Sequence, residues 1–114
     1  MAVPLIQGKK ELFMSEQMDI TRKDETSHGA YYIAVDGADR PAELTWRARG
    51  KARIADHTWT PPEARGKGIA LALVKALVED AKAQGFTIVP QCPYVEAQFR
   101  KHPEWAEYRA EIPS

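Results

Sequence analysis

The hydrophobic period of this chain changes once, at Pro61-Pro62, and that change restricts the folds open to it. Before it the period is two. Met18, Ile20 and Arg22 alternate with Asp19 and Thr21, and His28 to Val35 is rich in β-formers. Leu44, Trp46 and Ala48 alternate with Glu43, Thr45 and Arg47, the pattern of a half-buried strand. Asp24 to Ser27, the stretch from Asp36-Gly37 to Pro41, and Arg49-Gly50-Lys51 punctuate these runs as turns, and Ala52 to Thr60 returns as a fourth strand. After the prolines the period is helical. Ile69, Leu73, Leu77 and Ala81 recur every four residues with Ala70, Val74 and Val78 beside them, predicting a helix over 69–84 that ends at Gly85. Phe86 to Val89 reads as a short buried strand closed by Pro90. Pro93 opens a second helix with Val95 and Phe99 on its apolar side, and Pro103 stops it. Trp105 and Tyr108 in the tail are expected to fold back on the core. A strand, a glycine-started helix and another strand form a βαβ crossover. The predicted fold is mixed α/β (α+β): a mostly antiparallel sheet with one late crossover.

Length allows one such domain and no more. At 114 residues the chain can bury a single modest core, not a (β/α)₈ barrel or a full dinucleotide-binding fold. Residues 1–15 read as a flexible arm or an over-long start, and 16–114 as the domain. The 16 Lys and Arg balance 16 Asp and Glu, and each half of the chain is neutral by itself. Such a balance gives no long-range field toward nucleic acid or anionic lipid, so neither is expected as a partner. Any anion site must be local. A single cysteine leaves no intrachain disulfide and no Cys-rich zinc site, and fits a reducing, cytoplasmic setting. His28, His57 and His102 show no ligand spacing, so no metal is expected. Ala2 to Ile6 is too short an apolar run for a signal peptide or a membrane span.

The most informative segment is Arg65-Gly66-Lys67-Gly68-Ile69-Ala70, where the helix begins. Glycine inside a helix costs roughly 1 kcal/mol relative to alanine, so two of them at its start call for a reason. One reason is an anion site: amide N–H groups without Cβ atoms over them converge on a phosphate, helped by the helix dipole. The other is a turn that lets strand and helix pack closely. A P-loop is excluded because position 61 is proline and Gly68 follows Lys67. A dinucleotide fingerprint fails because its third glycine would fall on Leu71.

That segment resembles the Arg/Gln-x-x-Gly-x-Gly/Ala signature of the GNAT superfamily of acetyl-coenzyme A-dependent N-acetyltransferases. With His57-Thr58, Pro62, Pro90-Gln91-Cys92-Pro93-Tyr94-Val95 and His102-Pro103-Glu104-Trp105, the chain is similar to the short, single-domain branch of N-acetyltransferase domain-containing proteins over roughly 17–108. The resemblance implies a V-shaped opening between the fourth and fifth strands. Acetyl-coenzyme A would lie there as acyl donor, its pyrophosphate on the amides of Arg65, Gly66, Lys67, Gly68, Ile69 and Ala70, its pantetheine arm along the edge of strand 52–60. The acceptor would be a small-molecule or peptide amine, and a homodimer is an option. Two departures stand out. Lys23 to Ser27 leaves no room for the helices that usually follow the first strand and help build the acceptor site. Trp59 replaces the acidic residue common after His-Thr in this branch. Those departures leave a second reading open, a non-catalytic acyl-coenzyme A-binding or sensing module.

Three residues are candidates for the chemistry of transfer, which needs an unprotonated amine, a polarised carbonyl and an acid for the departing thiolate. Cys92 follows the fifth strand, beside a helix N-terminus that favours a thiolate, and would take the acetyl group transiently; otherwise it is a small buried residue. His57, late in the fourth strand, serves as general base or pairs with Cys92, or else is a strand histidine satisfied by a neighbour. Tyr94 protonates the leaving thiolate, as a tyrosine does in many members of the family, or packs in the core.

Overall fold

The computed structural model describes residues 19–110. The expectations for residues 1–15 and for Met18 lie outside that range. Five strands run β1 (Ile20–Asp24), β2 (His28–Ile33), β3 (Ala42–Arg49), β4 (Ala52–Trp59) and β5 (Thr87–Pro90). They form one sheet in chain order, antiparallel through β4 and parallel between β4 and β5. Helix α1 (Ile69–Gln84) makes the β4–β5 crossover, and α2 (Pro93–Lys101) follows β5. This is the mixed, mostly antiparallel architecture that the change of period predicts.

Helix α1 covers one face of the sheet. Alternation sends Tyr31, Ile33, Leu44 and Trp46 to that face, where they are buried with Leu73, Val74, Leu77 and Ala81. Ala72 and Ala76 are buried too, so the helix hides more than the single stripe its spacing suggests. The reason is that α2 and the C-terminal 3-10 turn (Pro103–Tyr108) pack against it as well as the sheet. A truncation such as Leu77→Ala, at a fully buried position, would cost about 2–5 kcal/mol. The tail folds back as expected. Trp105 stacks on His102 at 4.0 Å between ring centroids and meets the edge of Phe99 at 5.5 Å.

Polar ties fix the edges. Asp80 accepts Nε of Arg22 at 2.8 Å and the hydroxyl of Tyr31 at 2.7 Å, joining β1, β2 and α1. At Gly29 the chain has no room for a side chain. A Cβ there would lie 2.4 Å from Trp46 Cζ2 and 2.4 Å from the Lys23 carbonyl, so the indole of Trp46 lies across the Gly29 backbone.

Two irregularities shape the site. First, the β3–β4 ladder slips by one residue: Trp46 faces Ala55 but Thr45 faces His57, leaving Asp56 as the extra residue of a bulge. Second, β5 pairs with β4 only from Ala52 to Ala55. One last bond runs from the Cys92 N–H to the Ala55 carbonyl (2.9 Å). Beyond it the strands diverge, and among the described residues 56–59 have no strand on that side. This is the V-shaped opening.

Candidate functional site

The opening leads to the start of α1. Pro61 and Pro62 stiffen the exit from β4, and a short 3-10 turn (Pro62–Ala64) delivers the chain to Arg65. Gly66 and Gly68 both have positive φ, 80° and 78°, a left-handed backbone that a side chain makes costly. A Cβ on either would meet nothing within 4 Å, so both present bare backbone to open space. The glycines therefore serve the turn's conformation and an open approach at once, and not close strand–helix packing.

The amides sort into two sets. The N–H groups of Arg65 and Lys67 donate to the carbonyls of Pro62 and Ala64, both at 3.3 Å. The first bond within α1 runs from the Ala72 N–H to the Gly68 carbonyl at 3.0 Å. Among the described residues the N–H groups of Gly66, Gly68, Ile69 and Ala70 therefore have no backbone acceptor. Beside them is a cavity of about 420 Å³, lined by Thr58, Trp59, Arg65, Gly66, Gly68 and Tyr94 among others. Arg65 brings a cation to it, and no carboxylate of a described residue pairs with that cation. Donors, dipole and cation converge where an anion would bind. Of the six loop residues named from sequence, Lys67 is the one outside the cavity wall.

The three chemical candidates do not come together. Tyr94 lines the cavity. Burial pushes its phenol above the usual value, partly offset by a hydrogen bond with Gln98, so it keeps its proton at neutral pH. Cys92 is buried at the cap of α2, with Sγ 3.5 Å from Oγ1 of Thr58, and Thr58 lines the cavity. His57 points elsewhere. Its Nε2 is 3.4 Å from Oε2 of Glu43, on the sheet face away from α1. The Cys92–His57 pairing therefore does not form: the two residues stand on opposite faces of β4.

Three residues here had no role in the sequence reading. Glu43 lies between His57 and Arg40, whose guanidinium is 3.7 Å away. Asp56 accepts Oγ1 of Thr45 at 2.6 Å and Nε of Arg47 at 2.9 Å. Burial alone would push the Asp56 carboxyl up, but those two hydrogen bonds outweigh it and hold the group below its ordinary value. Arg47 also reaches Oε1 of Gln91 at 3.4 Å, linking β3 to the segment after β5 below the fork of the V. Thr58 is the third. Glu43 shows in sequence only as the polar partner of Leu44; its contact with His57 depends on the bulge. Among the described residues no three His, Cys, Asp or Glu side chains cluster as a metal ion requires, and no helix is long and apolar enough to cross a membrane.

Comparison with known proteins agrees with this layout. The family model described as GCN5-related N-acetyl-transferase matches residues 30–108. Among solved structures, a GCN5-like protein from Staphylococcus aureus superposes with a TM-score of 0.65 at 24% identity, covering 84% of this chain and 91% of its own. A ribosomal-protein-alanine N-acetyltransferase from Brucella melitensis biovar Abortus 2308 gives a TM-score of 0.55 at 20% identity, over 79% of this chain and 67% of its own.

Proposed function

Because the chain belongs to the GCN5-related N-acetyltransferase family, we propose that it transfers an acetyl group from acetyl-coenzyme A to an amine. The observation that carries this reading is the set of unpaired N–H groups at Gly66, Gly68, Ile69 and Ala70 beside the cavity. These groups suit the donor's pyrophosphate. The free edge of β4 suits the extended, amide-bearing arm that leads from it, by the same main-chain pairing that adds a strand to a sheet. The donor supplies an activated thioester; the chain positions it and handles protons.

In this reading His57, held by Glu43, removes a proton from the acceptor amine. The nitrogen bonds to the acetyl carbon, the carbon–sulfur bond breaks, and Tyr94 gives its phenolic proton to the departing thiolate. Base and acid thus work from opposite sides of β4, as a transfer through the V demands. The contact between Cys92 and Thr58 favours a second route, in which Cys92 carries the acetyl group before the amine receives it. There Sγ bonds to the acetyl carbon as the carbon–sulfur bond to coenzyme A breaks, and the thiol proton passes through the Thr58 hydroxyl, not through His57, to the departing thiolate. An acetylated Cys92 peptide in the mass spectrum after donor alone assigns the second route; its absence, with turnover kept in Cys92→Ala, assigns the first.

Isothermal titration with acetyl-coenzyme A tests the reading at its base, and absence of binding at tens of micromolar overturns it. Release of free coenzyme A with a panel of amines then separates an enzyme from a binding module. The module reading draws on Trp59 and on one feature of the fold: β1 and β2 are joined by a short turn, with no helix between them.

A further inference from the structure

The acceptor side of the sheet has a built groove of its own. Tyr31 faces α1, so its neighbours Ala30 and Tyr32 face the other way, and their cross-strand partners Thr45 and Glu43 face with them. On that face a groove of about 290 Å³ is lined by Lys23, His28, Tyr32, Thr45, Arg47 and Asp56 among others. Thr45 is the registered partner of His57, so the groove ends beside His57 at the mouth of the V.

Its charge is lopsided in a chain that is neutral overall. Both oxygens of Asp56 are committed, one to Thr45 and one to Arg47. Lys23 has no carboxylate of a described residue within 4.0 Å, and the Arg47 side chain stays half exposed with donors to spare. Glu43 is turned to His57 and Arg40, and Asp24 to Arg53. The groove thus offers two cations, a partly engaged imidazole and two hydroxyls against one satisfied carboxylate. A bare amine would be repelled by it. An amine that carries a carboxylate would be oriented: the carboxylate between Lys23 and Arg47, the nitrogen toward His57. The volume suits one amino acid or one to two residues of a peptide, not a bulky acceptor.

We propose that the acceptor of acetyl transfer is a carboxylate-bearing amine, either a free acidic amino acid or a peptide with an acidic residue beside its amino terminus, anchored by Lys23 and Arg47. This rests on the acetyl-transfer reading above. Four probes test it by amide chemical shifts of the labelled protein: L-glutamate, glutamine amide, and the peptides Ala-Glu-Phe-amide and Ala-Gln-Phe-amide. The expected result is that a carboxylate probe shifts Ala30, Thr45 and Asp56 while its uncharged counterpart does not. Lys23→Glu, at an exposed position on an edge strand, should weaken that binding about tenfold and raise the acceptor KM with kcat little changed. Which carboxylate probe binds tells the free acid from the peptide. Equal binding by the uncharged probes overturns the proposal, as does a Lys23→Glu variant that binds undiminished. A parallel titration with acetyl-coenzyme A, read at Gly66, Gly68 and Ile69, keeps the two readings apart. Donor binding with a silent groove overturns the acceptor assignment alone. Groove binding without donor binding overturns the transfer reading and the acceptor role with it.

Discussion

Asp56 and His57, adjacent in the chain, project to the same face of the sheet. Asp56 meets Thr45 and Arg47, and His57 meets Glu43, all on the face away from α1. In a regular strand one of the two would point into the core. The extra residue of the bulge re-aims the strand, so that His57 faces Glu43 and Thr58 faces Cys92. If His57 is the base, His57→Ala should lower kcat/KM by about 10²–10⁴ with donor affinity unchanged. Glu43→Gln, which keeps the shape but not the charge, should fall in between. A steady-state assay with donor binding measured separately decides the matter, and equal loss of donor affinity would assign both residues a structural role.

The loop proposed to hold the donor gives a cleaner test. Gly68 caps α1 with φ 78°, and the space above it is open. Gly68→Val should destabilise the fold by about 1–2 kcal/mol through its backbone and also cover the N–H groups of the loop. Calorimetry should then find no acetyl-coenzyme A binding, while circular dichroism reports a folded protein. Full affinity in that variant would move the donor away from this loop.

Gly29 is held by packing, not by its backbone angles. Gly29→Ala drives a methyl into the Trp46 ring and the Lys23 carbonyl, which should cost about 1–3 kcal/mol in chemical denaturation. Trp46→Leu in the same background should recover part of that loss, because the double variant relieves the clash with the indole and leaves the one with the Lys23 carbonyl. Additive losses would contradict the geometry.

Tyr31 makes stability fall in alkali. Its hydroxyl is buried and donates to Asp80 at 2.7 Å; burial first, and then that hydrogen bond, hold the phenol well above its ordinary value of 10.0. A group whose proton is held more tightly in the folded state contributes in full below the unfolded value, and the contribution is lost as pH rises beyond it. Unfolding free energy should therefore decline above about pH 10. Tyr31→Phe should lose about 1–2 kcal/mol at neutral pH and show a shallower alkaline decline.

The elements and their order could be read from the chain because each carries a local signal. Alternation marks β1 and β3, β-forming residues mark β2, period four marks α1, and prolines and glycines mark the ends. The tail was legible for a similar reason, since Trp105 and Tyr108 are large apolar rings that gain by packing on the core. The loop at Arg65 to Ala70 was legible as two glycines with a purpose, but not which of its amides are free; that depends on the 3-10 turn that engages Arg65 and Lys67. The surroundings of His57 were the least legible. Whether His57 meets Cys92 or Glu43 is decided by one inserted residue in a ladder whose register only the paired strands define. The groove on that face is assembled from β1, β2, β3 and β4, and no contiguous motif announces it.

The divergence of β4 and β5 past Ala55 has a thermodynamic corollary. A strand edge left over for a guest makes the guest part of the protein's cohesion, so occupancy and folding become linked equilibria. A melting curve recorded against donor concentration should climb with the logarithm of that concentration, and amide exchange should slow first at residues 56–59, where the seam closes.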